Sequence, residues 1–229
     1  MASKITTLYL AGLNCVLEKA THIFHSGMAR LLAVHVRTHA LSCGTNLSIG
    51  FPARGIMGLG NIRIGNNFVA GSGLKLRAFT EFKGKCYKPT IEIGNDVHFE
   101  TDCHIGCINR ICIGDGCLFA SRVFITDHGH GCGNLQESCI PPLQRDLYSK
   151  GECVIGSNVW VGEGVVILPG VHIGGGSIIG ANAVVTSDIP PLCVAAGVPA
   201  RVIRHLESST AAIGISYEHT IQHTLKHVQ

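Results

Sequence analysis

The chain has 229 residues, of which 46% are hydrophobic and only 14% are charged, so it can bury a sizeable core in one large domain. Its formal net charge is +3 and it has no dense Lys or Arg run, which gives no reason to expect a nucleic-acid-binding protein. No stretch reaches the roughly 18 consecutive apolar residues of a membrane-spanning helix. No convincing cleavage site follows the apolar N-terminal segment either, so we expect a cytoplasmic protein.

The N-terminal segment, residues 1–45, lacks the repeat that organises the rest of the chain. Its stretch "LNCVLEKATHIFHSGMARLLAVHV" spaces apolar residues as one or two short helices would. We therefore expect a partly helical appendage here. The histidines of this segment occur without a ligand pattern and are expected to lie on the surface or to pack.

The chain contains eleven cysteines, an odd number, and no CxxC pair. Cys103, Cys107, Cys112 and Cys117 follow one another at spacings of four and five, which match no common zinc pattern. We interpret the cysteines as small buried residues in a reducing compartment. No metal site is expected.

A six-residue period organises residues 46–204. Every sixth residue is Ile or Val in one run, and Phe119 and Ile125 keep the same phase upstream, whereas Ile93 to Ile111 follow a shifted phase. A period of six fits a short strand, a glycine-assisted turn and another strand, which is the pattern of a parallel β-helix. The run comprises Ile155, Val161, Ile167, Ile173, Ile179 and Val185.

The stretch "NVWVGEGVVILPGVHIGGGSIIGANAVVTSDIPPLCVAAGVPARVIR" carries a family resemblance. It resembles the hexapeptide-repeat acyltransferases, and within them the sugar and polysaccharide O-acetyltransferases that include the galactoside and maltose enzymes. The resemblance covers about Ser48 to Arg204. It implies an all-β fold with a left-handed parallel β-helix, acetyl-CoA as co-substrate, and a homotrimer with active sites between subunits.

The stretch "ITDHGHG" and the short N-terminal segment look more like the capsule and O-antigen members of this family. This implies an acceptor sugar in a bacterial surface polysaccharide, such as capsule, O-antigen or exopolysaccharide, or in its precursor. A small free sugar is the alternative acceptor. Such a substrate is compatible with a cytoplasmic enzyme at the inner face of the membrane.

The repeat breaks between Ile125 and Ile155, which predicts a protruding loop over residues 127–153. A long loop inside a compact repeat usually serves function. His128 lies at its root, and in the resembled family a histidine at this place is the general base. An imidazole titrates near neutral pH and can take the proton of an acceptor hydroxyl that attacks the thioester directly.

Four other residues are candidates for the acceptor site. In an extended strand Asp127 would face away from His128, which makes it a doubtful partner for the imidazole. A carboxylate of another coil then either orients the imidazole or binds sugar hydroxyls. The candidate substrate-binding residues are Glu100, Asp102, His104 and His130, of which His130 is a helper or a bystander.

The resemblance also assigns a coenzyme A groove. Trp160 would lie near the pantetheine arm, with core or trimer packing as the alternative interpretation. The two arginines of "GVPARVIR" suit adenosine phosphates, because guanidinium groups are permanently charged and bidentate. The residues assigned to coenzyme A are Trp160, Gly162, Glu163, Ala181, Thr186, Ser187, Arg201 and Arg204.

Two other functions use the same fold. A γ-carbonic-anhydrase-like metalloenzyme would need three histidines around zinc. His98, His104 and His128 are candidates for them, but His98 and His104 are six residues apart and the surrounding Arg, Asp and Gln pattern of that family is not evident. A non-catalytic β-helix scaffold is the third hypothesis. Residues 205–229 are expected to form a polar tail that caps the open end of the solenoid.

Overall fold

The computed structural model describes residues 2–206 of the chain, and the side chains of its N-terminal helix from residue 17 onward. One α-helix, α1 (Ala2–His39), comes first, where the sequence predicted one or two short helices. The helix is continuous because the segment has no proline, and an interior glycine such as Gly27 weakens a helix without ending it. Its last part packs against the core through Leu32, Ala33 and Val36.

After α1 the chain winds through six coils of three short strands each, as the six-residue repeat predicts. Coils one to three comprise β1 (Ser42–Cys43), β2 (Ser48–Ile49), β3 (Gly55–Met57), β4 (Ile62–Ile64), β5 (Val69–Ala70), β6 (Lys75–Ala78), the outlying pair β7 (Glu81–Phe82) and β8 (Lys85–Cys86), then β9 (Thr90–Ile93), β10 (His98–Phe99) and β11 (His104–Cys107).

The later coils repeat the arrangement and end in a hairpin. They comprise β12 (Arg110–Ile113), β13 (Leu118–Phe119), β14 (Phe124–Thr126), the outlying pair β15 (Gly129–His130) and β16 (Leu147–Tyr148), then β17 (Cys153–Ile155), β18 (Trp160–Val161), β19 (Val166–Ile167), β20 (His172–Ile173), β21 (Ile178–Ile179), β22 (Val184–Val185), β23 (Cys193–Ala196) and β24 (Arg201–His205). Three 3-10 turns span Leu59–Asn61, Gln136–Cys139 and Pro142–Gln144.

The strands form three parallel sheets that make the faces of a prism. Sheet 1 has the order β1-β4-β9-β12-β17-β20, sheet 2 runs β2-β5-β10-β13-β18-β21-β23-β24, and sheet 3 contains β3-β6-β11-β14-β19-β22. All pairs between coils are parallel, whereas β24 turns back antiparallel on β23. Each strand therefore covers the edge of the previous coil, as in a solenoid.

The predicted inward row forms the core. Its six residues from Ile155 to Val185 are all 2% exposed or less. In the earlier coils Phe99 and Phe119 take the same role, and their rings stack with the centroids 4.2 Å apart, while Phe68 is buried two residues before Ala70, which occupies this row in its coil. The period of six thus corresponds to one inward residue per sheet face.

Polar side chains stack along the corner between sheets 1 and 2. The side-chain oxygen of Asn66 accepts from the backbone N–H of Thr45, Asn95 from that of Asn66, and Asp115 from that of Asn95. Such caps satisfy backbone donors where the strands end.

Two excursions leave the β-helix rather than one. The expected long loop runs from Asp127 to Glu152, and a shorter hairpin, Phe79–Pro89, was not predicted. Lys83 and Gly84 at its tip both have positive φ values, which is the geometry of a two-residue hairpin turn. The hairpin holds the long loop through an ion pair of Lys85 with Asp146 at 3.0 Å.

The cysteines are free thiols in the described part of the chain, and Cys103, Cys107, Cys117, Cys153 and Cys193 are buried. Burial raises the pKa of the Cys103 and Cys117 thiols to about 11, so both stay protonated at neutral pH. The five buried thiols agree with the interpretation of the cysteines as core residues, whereas Cys86, Cys132 and Cys139 are exposed and contradict it. Among residues 2–206, no helix is both long and apolar enough to cross a bilayer.

Candidate active site

Asp127 and His128 stand where the chain leaves β14 and enters the long loop. Thr126 turns the backbone there: its hydroxyl donates to the carbonyl of His128 at 3.0 Å and accepts from the N–H of the same residue at 3.2 Å. Because the strand ends at Thr126, the two side chains no longer point in opposite directions. The His128 Nδ1 lies 2.9 Å from Asp127 Oδ1.

Asp127 is fully buried and is held by several donors. The backbone N–H of Ile108 donates to Oδ1 at 2.9 Å, that of Asn109 donates to Oδ2 at 2.8 Å, and the Cys107 thiol lies 3.2 Å from Oδ2. The prediction that Asp127 faces away from His128 is therefore wrong. Since a carboxylate only accepts, Nδ1 of His128 carries the proton and Nε2 keeps its lone pair.

The His128 ring lies over the outer face of sheet 3, above Gly106. A Cβ at Gly106 would stand 3.4 Å from Cε1 of His128, and 3.8 Å from both Nε2 of His104 and Cε2 of Phe79. Glycine at this position thus leaves open a space that three rings surround. The His128 side chain is 12% exposed, so the imidazole is sheltered but not sealed from solvent.

His104, one of the predicted substrate-binding residues, lies next to this group. It pairs in register with Lys75 on one side and Phe124 on the other, and its ring meets Phe124 edge-on at 5.0 Å. Burial, aided by the positive charges of Lys75 and Arg77 and of the His128 ring when it is protonated, lowers the pKa of His104 from 6.5 to about 4. At neutral pH His104 is therefore a neutral imidazole.

This lowered pKa predicts an effect of pH on folding. Between about pH 6.5 and pH 4 the unfolded chain binds a proton at His104 that the folded chain does not, so stability falls as the pH falls through this window. We expect the free energy of unfolding of His104→Gln, measured with urea, to fall less between pH 7 and pH 4.5 than that of the wild type. The exposed His172, changed to Gln, serves as the control and should keep the wild-type loss. Equal losses in His104→Gln and wild type would contradict the assignment.

The remaining acceptor candidates lie apart from the imidazole. Glu100 is paired with His98 at 3.2 Å, and Asp102 with Arg54 at 3.3 Å. Neither is hydrogen-bonded to His128, so their predicted role in orienting its ring is wrong, because Asp127 holds that position. Both are exposed and remain able to bind hydroxyl groups.

His130 lies beyond the Asp127–His128 pair, on strand β15, and is exposed. Its ring meets Phe82 of the hairpin at 5.5 Å, while the ring of Phe79 meets His128 at 5.6 Å. The hairpin therefore forms one wall of the site. Sequence reasoning missed this wall, although "FKGK" contains the lysine-glycine turn that marks a hairpin.

The three histidines of the metalloenzyme hypothesis are not assembled. His98 lies on sheet 2 and pairs with Glu100, whereas His104 lies on sheet 3 near His128. Within residues 17–206 the structure contains no group of three or more His, Cys, Asp or Glu side chains that could hold a metal ion.

The residues assigned to coenzyme A occupy coils five and six and the final hairpin. Trp160 points outward from sheet 2 with half of its surface exposed, which excludes core packing. Gly162 and Ala181 stack at the corner between sheets 2 and 3, where a Cβ on Gly162 would stand 2.7 Å from the Ala181 nitrogen. Glu163 at this corner is paired with Arg122 at 2.7 Å.

The other four residues assigned to coenzyme A lie elsewhere on the prism. Thr186 and Ser187 follow β22 at the end of sheet 3, and Arg201 and Arg204 are exposed on β24. The eight residues therefore do not lie at one corner of the prism. They lie at the corner between sheets 2 and 3, at the end of sheet 3 after β22, and on the closing hairpin, all on the C-terminal side of His128.

Comparison with known proteins identifies related sequences. Residues 152–187 match the family described as bacterial transferase hexapeptide (six repeats). A protein of Escherichia coli (strain K12), provisionally named a lipopolysaccharide biosynthesis O-acetyl transferase, WbbJ, is 41% identical over 155 residues, or 66% of this chain and 75% of that protein. The galactoside O-acetyltransferase of the same strain is 41% identical over 125 residues, which are 52% of this chain and 56% of that enzyme.

Solved structures of acyltransferases also have a similar fold. Galactoside acetyltransferase in complex with coenzyme A is 31% identical with a TM-score of 0.52, covering 79% of this chain and 72% of that one. The N-acyltransferase AntD from Bacillus cereus, solved with dTDP and 3-hydroxybutyryl-CoA, is 22% identical with a TM-score of 0.63, covering 83% and 94%, and supports the fold alone. The chain therefore belongs to the hexapeptide-repeat acyltransferases with a left-handed β-helix, among the relatives of the sugar O-acetyltransferases.

Proposed function

We propose that this chain is an acetyl-CoA-dependent O-acetyltransferase that acetylates a sugar hydroxyl of a bacterial surface polysaccharide or its precursor. The observation that carries the proposal is the buried Asp127–His128 pair at the root of the loop, beside the space above Gly106. A base with its Nε2 lone pair free is what this reaction requires of the protein.

His128 acts as the general base. Asp127 accepts the Nδ1 proton and so fixes the ring orientation and the tautomer, while Nε2 takes the proton of the acceptor hydroxyl as its oxygen attacks the thioester carbonyl carbon. The imidazolium formed in this step is stabilised by the Asp127 carboxylate at 2.9 Å. The proton then passes to the departing coenzyme A thiolate.

The residues on the C-terminal side of His128 bind acetyl-CoA. The exposed Trp160 offers an apolar surface to the pantetheine arm, and the close packing of Gly162 on Ala181 leaves a backbone surface without a projecting side chain. Arg201 and Arg204 are exposed cations for the phosphates of the nucleotide. Thr186 and Ser187 complete this set, and Glu163 acts through its pair with Arg122.

The acceptor binds on the other side, among His104, His130, Glu100 and Asp102. The neutral His104 can donate to or accept from a sugar hydroxyl, and the two exposed carboxylates can accept from others. The polysaccharide acceptor is supported by the relative named for lipopolysaccharide biosynthesis, and the free sugar alternative by the galactoside relative.

The active assembly in this proposal is a homotrimer with sites between subunits, acting in the cytoplasm at the inner face of the membrane. The test incubates purified protein with acetyl-CoA and a panel of glycans, with coenzyme A release and mass spectrometry of the acceptor as readouts. Acetylation of a polysaccharide repeat unit or its precursor, with poor use of free galactosides, is the expected result. Preferential acetylation of free sugars would select the alternative, and no transfer to any hydroxyl would overturn the proposal.

A further inference from the structure

The N-terminal helix α1 exposes an apolar stripe that the β-helix covers little. Of the side chains described in α1, Leu32, Ala33 and Val36 pack against the core. Every residue from 17 to 25 is exposed, and the contacts of this part with the β-helix are the rings of Phe24 and His25 against Phe51, at 6.0 Å and 5.6 Å. A stretch of helix with so little tertiary packing is marginal in water, which indicates that another surface covers it.

The exposed apolar residues share one side of the helix. Leu17, Phe24 and Leu31 repeat every seven residues, and Ile23 and Val34 lie beside them, within a stripe about 120° wide at 100° per residue. These five side chains are 55% to 71% exposed. From residue 17 to residue 34 the stripe is about 25 Å long at 1.5 Å per residue.

Positive charge accompanies this stripe. Lys19, Arg30 and Arg37 follow one of its edges, and each is exposed. The first 60 residues of the chain contain five Lys and Arg residues but only one acidic residue, Glu18, whereas the other 169 contain 13 basic and 14 acidic residues. The positive net charge of the chain is therefore concentrated at the end that carries the apolar stripe.

We propose that α1 lies on the surface of an anionic lipid bilayer, with Ile23, Leu31 and Val34 inserted among the acyl chains and Lys19, Arg30 and Arg37 at the lipid phosphates. An interfacial helix of this kind combines buried apolar area with electrostatic attraction to anionic headgroups. A second copy of α1 would bring the same cations together along the seam, with one acidic residue, Glu18, in each helix to pair them, so charge complementarity favours the lipid surface.

The experiment is flotation of the full-length protein with vesicles. Wild-type protein should float with vesicles that contain phosphatidylglycerol, much less with pure phosphatidylcholine, and less as salt is raised. The double variant Ile23→Asp/Leu31→Asp should lose at least about tenfold in partitioning, because charged groups replace inserted apolar ones. Thr21→Asp/His22→Asp adds the same charge to exposed positions outside the stripe and is the matched control, expected to keep more binding than the stripe variant.

Two results would overturn the proposal. One is wild-type protein that does not float with anionic vesicles, or floats equally well after the stripe is changed. The other is a stripe variant whose mass by light scattering falls while vesicle binding persists, which would assign the stripe to contacts between copies. Lipid binding is measured without acetyl transfer, so its failure is distinct from failure of the proposed function.

Discussion

Replacing His128 with Ala should lower kcat for acetyl transfer by about 10² to 10⁴, the usual contribution of a positioned general base. The KM for acetyl-CoA should change little, because the assigned coenzyme A residues lie on other coils. The variant should also fold, since Asp127 keeps its backbone donors from Ile108 and Asn109. Coenzyme A release under saturating acetyl-CoA and calorimetric binding of coenzyme A are the two measurements.

The control for this prediction is His172→Ala. His172 is exposed on β20 of sheet 1 and belongs to no part of the proposed site, so its loss should leave kcat close to the wild-type value. Turnover by His128→Ala at the wild-type rate would remove the general-base role. A comparable fall in both variants would also contradict that role, because it would show that loss of either histidine damages the fold.

Replacing Asp127 with Ala should affect both stability and activity. The change leaves the buried N–H groups of Ile108 and Asn109 without their acceptor, and each unsatisfied group costs about 1 to 3 kcal/mol. The free energy of unfolding should therefore fall by about 2 to 6 kcal/mol, measured by urea denaturation. Activity should fall as well, because the carboxylate that accepts the Nδ1 proton of His128 is lost and the Thr126 hydroxyl, 3.3 Å from Nδ1, carries no charge to stabilise the imidazolium.

Asp127→Asn separates these two effects. The amide oxygen can still accept from the backbone, so most stability should remain, but an amide NH₂ turned toward His128 would force Nδ1 to accept and place the proton on Nε2. We expect kcat to fall by about 10² or more, since the base lone pair is lost. Full activity in the Asn variant would show that Asp127 serves the fold alone.

The β-helix could be predicted because the six-residue repeat of apolar residues follows directly from the geometry of each coil. One residue in six must face the inside of the prism, and Ile155, Val161 and Ile167 satisfy that requirement regardless of what surrounds them. The same logic placed His128 at the break in the repeat. The hairpin Phe79–Pro89 escaped notice because it is too short to disturb the apolar period for more than a few residues.

The partner of His128 could not be predicted for a different reason. Whether Asp127 and His128 diverge or converge depends on where the strand ends, and the Thr126 hydroxyl decides this through two contacts with the His128 backbone. An alternation rule assumes that the strand continues. The extent of α1 is a similar case, since an apolar period of 3.6 shows that a helix forms without showing where it stops.

The stacking of whole coils also has a consequence for how the two halves of the reaction are brought together. Neighbouring coils are about 4.8 Å apart. His128 belongs to coil four, while Trp160 belongs to coil five and the closing hairpin follows coil six. If His128 is the base and Arg201 and Arg204 bind the nucleotide, as proposed, the number of coils sets the distance between the two ends of the co-substrate site. Adding one coil would then shift both arginines by one step along the β-helix, so the site would be lengthened by adding turns rather than by reshaping a pocket.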